Sequence, residues 1–190
     1  MKCGDDTKNQ SARDSRLARD DERERVRAAL RFAAYYGYYV FDELVTEQVG
    51  TLDYLAVGPP GAMAVIVRED EGIFIAEPYT YEWFINGYHF EDDPRQQADE
   101  QADDVVARLT RQDVSVHSYV CFTRAEIRDS HSPEAYRGVA NLWTLPRGFE
   151  RGEAEFNPAD VAEIADDVER IYGRPPFVKP VSEQGGGGVV

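Results

Sequence analysis

The sequence has few residues that could build a covalent or thiolate framework. Only two cysteines, Cys3 and Cys121, and three histidines occur among 190 residues. Two cysteines cannot form the disulfide set of a small secreted domain, and the histidines have no mutual spacing suited to zinc. A disulfide scaffold and a cysteine-rich metal site are therefore excluded. The low cysteine content fits a reducing compartment, and we expect a cytoplasmic protein.

Long apolar runs and common catalytic motifs are also missing. No segment approaches the roughly 18 consecutive apolar residues of a membrane span, and the first residues lack the apolar stretch of a signal peptide. The chain has no glycine-rich phosphate loop and no Gly-x-Ser-x-Gly elbow. These absences predict no membrane association, no P-loop nucleotide site and no hydrolase of the serine-elbow type.

Positive charge is scarce. The chain has 21 basic and 36 acidic residues, for a net charge of −15. The first 20 residues and residues 174–190 each carry +1, so residues 21–173 carry −17. A broad electrostatic surface for nucleic acid is therefore not expected, and a polyanion would have to be held locally or through metal ions.

The composition is that of a globular protein, with 42% hydrophobic and 12% aromatic residues. We expect a polar, flexible leader over residues 1–19 and one folded domain over residues 20–173. The glycine-rich segment 174–190 is expected to be a flexible tail, because it has few residues that could pack.

The stretch LDYLAVGPPGAMAVIVREDEG, residues 52–72, predicts a β-hairpin. Apolar runs at 52–57 and 62–68 flank four turn-forming residues, Gly-Pro-Pro-Gly. Strand alternation would place Asp53 on the same side as Leu55 and Val57, and Ile66 on the same side as Arg68. A carboxylate in so apolar a hairpin needs solvent, a cation such as Arg68, or a metal ion, and the pattern leaves all three open.

Amphipathic segments predict helices at residues 20–36, 95–111 and 158–172, and the last has the N-cap Asn157 and a proline after it. Further strands are predicted at 38–44, 114–123 and 139–145, with an Asn-Gly turn at 86–87 and a turn or short helix at 132–138. A helix between two strand regions indicates a crossover connection. The predicted fold is therefore α/β, a mixed β-sheet flanked by α-helices.

The hairpin resembles the signature of the nuclease-related domain, NERD, a branch of the PD-(D/E)xK or restriction-endonuclease-like superfamily. That signature begins I-D-H, followed by three apolar residues and the turn G-P-x-G. An apolar strand that contains E-T-K comes next, and a glycine closes the motif. Asp53 falls on the family's aspartate and Gly72 on its closing glycine, with no gap between them. The stretch beginning Asp93-Pro94 resembles the family's N-P-x-x-Q, which places Gln97 on the glutamine. VSVHSYVCFT resembles the strand that follows.

The resemblance implies a metal-dependent nuclease, but two positions depart from it. The family's glutamate and lysine are replaced by Ile66 and Arg68. In such nucleases the two carboxylates hold Mg²⁺, and the lysine positions or activates water. Ile66 cannot bind a metal, and Arg68 stays protonated, so it can contact a phosphate but not act as a base.

We therefore expect a degenerate catalytic centre, that is, a pseudoenzyme acting in nucleic-acid-associated binding or regulation. In this centre Asp53, Arg68 and Gln97 are the retained site residues, with Asp53 and Arg68 joined as an ion pair. The alternative is an active Mg²⁺-dependent nuclease, in which Asp53 ligates the metal with a substitute acid from Glu77, Glu22 or Glu24. A third possibility is an acidic module that binds a protein partner. DNA or RNA is expected to bind weakly.

Overall fold

A computed structural model describes residues 21–46, 50–77, 82–90, 92–128, 137–150 and 152–181. The predicted leader, the end of the predicted tail and most of the predicted 132–138 turn lie outside these ranges. No helix within them is long and apolar enough to cross a membrane.

The described residues form one mixed sheet of seven strands with helices on both faces, which confirms the predicted α/β, restriction-endonuclease-like class. The hydrogen-bonded order is β1-β2-β3-β4-β5, and β6 pairs with the other edge of β3 and with β7. The strands are β1 (Tyr39–Val45), β2 (Thr51–Gly58), β3 (Gly61–Ala76), β4 (Trp83–Ile85), β5 (Tyr88–His89), β6 (Val116–Ile127) and β7 (Val139–Asn141).

The predicted hairpin is confirmed as β2 and β3. The strands pair antiparallel from Gly58↔Gly61 to Tyr54↔Val65. A side chain at Gly58 would meet the Tyr38 ring at 2.3 Å, and Gly61 has a φ of 120°, so this turn requires glycine at both ends.

Strand β3 is longer than the sequence pattern predicts. Gly72 does not end it. The strand runs on to Ala76, with an irregularity in its pairing with β6 between Arg68 and Glu71. Gly72 has a φ of 123° and lies beside the Asn86 side chain, which accepts a hydrogen bond from the Ile73 N–H. The residues after Gly72 therefore form the second half of β3, which pairs in parallel with β6.

Two apolar clusters cover the two faces of the sheet. Helices α2 (Pro94–Arg108) and α3 (Pro158–Tyr172) pack in the first cluster, and α2 supplies the predicted crossover from β3 to the parallel β6. Helix α1, residues 21–30, and the 3₁₀ turns at Arg31–Tyr36 and Leu145–Glu150 pack in the second cluster. Asn157 caps α3, as predicted, in a capping box with Asp160.

The chain does not leave the fold at residue 173. The Phe177 N–H donates to the Val40 carbonyl at 2.8 Å, and the Val40 N–H donates to the Val178 carbonyl at 3.0 Å. Val178 is buried in the second cluster. Residues 177 and 178 therefore pair with β1 through an isolated bridge between Val178 and Val40. The composition of the segment could not predict this pairing, because the hydrogen bonds join backbone groups.

Candidate functional site

The candidate site is a cleft where β2 and β3 separate. Asp53 lies one residue beyond the last β2–β3 pair, Tyr54↔Val65. Beside it opens a cleft of about 440 Å³. Its lining residues come from α1, β2 and β3 and are mostly charged: Arg23, Asp53, Val67, Arg68, Glu69 and Asp70.

Asp53 is mostly buried, with 19% of its side chain exposed, and both carboxylate oxygens have a donor. The Val67 N–H donates to Oδ2 at 2.8 Å, and Nη2 of Arg23 lies 3.4 Å from Oδ1. Burial raises the pKa of Asp53 above its ordinary value, and the charges of Glu43 and Glu69 raise it further, while the Val67 N–H and Arg23 oppose that rise. The carboxylate is therefore held by the protein itself and costs free energy when ionised.

Arg68 lines the cleft but does not pair with Asp53. Its Nε donates to Oδ2 of Asp70 at 2.8 Å, and its guanidinium carbon lies 5.8 Å from the centre of the Phe90 ring. Phe90 belongs to the α2 face of the sheet, whereas Asp53 is held by Arg23 of α1, which packs on the opposite face. The predicted Asp53–Arg68 ion pair is thus wrong.

The alternation predicted for Asp53 also fails locally. Leu52 and Leu55 both belong to the first cluster although they are three residues apart, while Tyr54 belongs to the second. The two faces therefore do not alternate regularly at the start of β2. Asp53 is turned toward α1 rather than placed with Leu55 and Val57.

Ile66, which the resemblance aligns with the family's metal-binding glutamate, points into the core. It is 3% exposed and packs in the first cluster with Phe74 and Phe90. A residue so placed supplies no polar atom to the cleft. The structure therefore offers no second carboxylate at this position of β3.

Glu77 and Gln97 are not brought to Asp53. Glu77 follows β3 ten residues after Val67, and at 3.3 Å per residue this is about 30 Å along the strand. Gln97 is exposed on α2, across the sheet from α1. Glu77 cannot share a metal ion with Asp53, because metal–oxygen distances are about 2–2.6 Å.

The two acids predicted in α1 are both paired with arginines. Glu22 is 5% exposed and accepts from Arg25 at 3.0 Å and from Arg124 at 3.1 Å. Glu24 is exposed and lies 3.2 Å from Arg31. Neither lines the cleft.

The sequence interpretation missed four charged residues that surround Asp53 or line the cleft with it: Arg23, Glu43, Glu69 and Asp70. Glu43 lies directly across from Asp53, because Asp42 pairs with Tyr54 and Leu44 with Leu52. Extending the hairpin register by one strand would have suggested this neighbour. Arg23 had no such signal, since its position depends on how α1 packs.

The described residues do not fit the two-carboxylate Mg²⁺ site that the family implies. Mg²⁺ prefers octahedral oxygen coordination, while both oxygens of Asp53 are engaged by N–H donors and the apolar Ile66 supplies no ligand. Within the described ranges, no group of three or more His, Cys, Asp or Glu side chains is arranged to hold a metal. Asp53 therefore meets the guanidinium of Arg23, and the described residues do not form a metal site around it.

Comparison with known proteins agrees with the hairpin signature. A family model described as the nuclease-related domain, NERD, matches residues 18–123, more than half of the chain. The matched segment begins just before the described part of α1 and includes the hairpin, α2 and part of β6. No curated protein and no solved structure matches the chain significantly. The chain belongs to the nuclease-related domain family.

Proposed function

We propose that this chain is a non-catalytic member of the nuclease-related domain family, which acts by binding rather than by cleaving nucleic acid. The observation that carries the proposal is the burial of Ile66 in the core, at the position where the family holds its second metal-binding carboxylate. An apolar side chain at 3% exposure leaves that position without any ligand for a hard cation.

The remaining cleft residues support the same proposal. Arg68 is fixed by Asp70 and cannot accept a proton from water at ordinary pH. Asp53 alone would have to act as metal ligand while Arg23 neutralises it. Hydrolysis of a phosphodiester by metal-activated water needs several groups placed together, and the cleft lacks two of them.

The charge distribution bears on the partner. Arg23 and Arg68 are the basic residues that line the cleft, and three acidic side chains line it too. Nucleic acid would therefore bind weakly and with a strong dependence on salt, through a few phosphate contacts. The net negative charge of residues 21–173 suits a basic protein equally well, and a basic protein is therefore the alternative partner. We place the protein in the cytoplasm on its cysteine content.

A plasmid-nicking assay with Mg²⁺ or Mn²⁺ tests the absence of catalysis. The full chain and the Asp53→Asn variant are compared, because asparagine keeps the size of the side chain and removes its charge. Both should leave the plasmid intact to the same extent. Cleavage by the wild-type chain that disappears in Asp53→Asn would overturn the proposal.

A second candidate function, an active nuclease with a relocated acid, is favoured by one observation. Glu69 lines the same cleft as Asp53, and its charge raises the pKa of Asp53. If Glu69 were the second metal ligand, metal-dependent cleavage would be lost in both Asp53→Asn and Glu69→Gln. The exposed Glu126, which pairs with Arg128 on β6, provides the matched control, Glu126→Gln.

Binding is tested separately from cleavage. Fluorescently labelled single-stranded and duplex DNA and RNA are titrated with the full chain at low and at moderate salt, alongside a basic protein such as a histone. Nucleic-acid binding that weakens steeply with salt supports the proposal. Binding of the basic protein without any binding of nucleic acid would indicate a protein partner instead.

A further inference from the structure

Two carboxylates face each other across β1 and β2 at the head of the cleft. Asp42↔Tyr54 and Leu44↔Leu52 are paired, so Glu43 and Asp53 occupy the opposed position between these pairs. Like charges directly opposite on neighbouring strands are destabilising. Glu43 is also held at a φ of 50°, a conformation that non-glycine residues seldom adopt, and such strain persists only where the surroundings fix it.

One guanidinium joins the two carboxylates. Nη1 of Arg23 donates to Oε1 of Glu43 at 3.0 Å, and Nη2 lies 3.4 Å from Oδ1 of Asp53. The main chain of Arg23 is anchored as well, because the hydroxyl of the buried Tyr54 donates to its carbonyl at 3.1 Å. Arg174 adds a contact to the other oxygen of Glu43 at 3.3 Å. Arg23 is thus positioned by α1 and β2 together.

We propose that Arg23 is a built-in cation, which takes between Glu43 and Asp53 the electrostatic role that a divalent metal plays in the family's catalytic centres. The inference rests on the proposed non-catalytic function and explains how the retained aspartate is stabilised without a metal. A guanidinium is permanently protonated and presents several donors in a fixed fork, so its single positive charge attracts both carboxylates at any physiological pH. Part of the misfit between the described residues and Mg²⁺ follows from this substitution, because Arg23 engages Oδ1 of Asp53.

The proposal predicts that removal of Arg23 makes the cleft responsive to metal. In Arg23→Gln the opposed carboxylates of Glu43 and Asp53 lose the guanidinium that lies between them, and carboxylate oxygens are the preferred ligands of hard cations. The measurement is thermal unfolding of the full chain with Mn²⁺ or Ca²⁺. The wild-type Tm should not change, whereas that of Arg23→Gln should rise by about 3–6 °C at roughly tenfold the Kd of the cation.

Two control variants separate this effect from a general gain in negative charge. Arg31 follows α1 and, among the described residues, pairs only with the exposed Glu24. The variant Arg31→Gln removes the same charge as Arg23→Gln, and its Tm should respond to metal as that of the wild type does. Arg23→Gln combined with Asp53→Asn should lose the response. An equal metal-dependent shift in the wild type or in Arg31→Gln, or none in Arg23→Gln, would overturn the inference.

Folding of the variant is itself informative. If Arg23→Gln fails to fold because the carboxylates repel each other, the added change Glu43→Gln should restore a cooperative transition, and the absence of rescue would refute the bridge. The two proposals fail differently. Metal-dependent nicking by the wild type would refute the proposed function, whereas an unresponsive Arg23→Gln would refute the Arg23 inference alone.

Discussion

The variant Ile66→Glu puts a glutamate where the resemblance places the family's second acid, and tests whether the geometry of this position lets an acid reach the cleft. Ile66 is 3% exposed and packs on the α2 face of the sheet, whereas Asp53 is turned toward α1. A glutamate at this position would enter the core rather than the cleft. We therefore expect a large loss of stability and no gain of nuclease activity.

The magnitude follows from two terms. Loss of a buried isoleucine side chain removes about 1.5–3 kcal/mol of hydrophobic stabilisation. Burial of a polar group without a partner adds about 1–3 kcal/mol. The free energy of unfolding should thus fall by about 2.5–6 kcal/mol, a large share of the 5–15 kcal/mol typical of a domain.

The assay is urea unfolding of the full chain, followed by the nicking assay on the same preparations. Ile66→Val should cost about 0.5–1.5 kcal/mol and Ile66→Ala about 2–5 kcal/mol, which isolates the effect of lost volume from that of the carboxylate. A buried glutamate has a raised pKa, so Ile66→Glu should also recover stability relative to Ile66→Gln as the pH falls. Near-wild-type stability together with new Mg²⁺-dependent nicking would show that Ile66 faces the cleft and would refute this argument.

Two further predictions concern the charged groups around α1. Because burial raises the pKa of Asp53 above 3.8, the wild type should lose stability relative to Asp53→Asn as the pH rises from 3.8 through the raised pKa. Urea unfolding between pH 4 and 7 measures this difference in the free energy of unfolding. A difference that does not change with pH would contradict the prediction. Glu22→Gln should lower the free energy of unfolding by about 1–3 kcal/mol, since Glu22 is buried and accepts hydrogen bonds from two arginines. The matched change Glu24→Gln, at an exposed pair, should cost about 0–1 kcal/mol, and equal losses in urea unfolding would refute the distinction.

Local sequence patterns were sufficient for much of the fold. The Gly-Pro-Pro-Gly turn defines the β2–β3 hairpin because its four residues all favour turns, and Gly61 adopts a φ of 120° that other residues seldom adopt. Asn157 and Pro158 begin α3 through contacts within four residues of chain. Such features depend on neighbours in sequence, and a pattern therefore predicts them.

Pairings between distant segments were not predictable in the same way. Strand β3 continues past Gly72 because β6 pairs with it beyond the irregularity at Arg68, and this moves Glu77 far from Asp53. Residues 177–178 join the sheet through backbone groups of Val40, which leave no mark in the composition.

The sequence by itself determined the family, the position of Asp53 near the end of the hairpin and the presence of an isoleucine, Ile66, where the resemblance would place an acid. Each of these follows from residue identity and from spacing along one short segment. Only the tertiary structure decided which cation Asp53 meets. Arg23 is 30 residues away from Asp53 along the chain, and it reaches Asp53 because α1 packs beside β1 and β2. On β1, Glu43 lies opposite Asp53 and contacts the same arginine. A charge pair of this kind is fixed by packing, and spacing alone could not have revealed it.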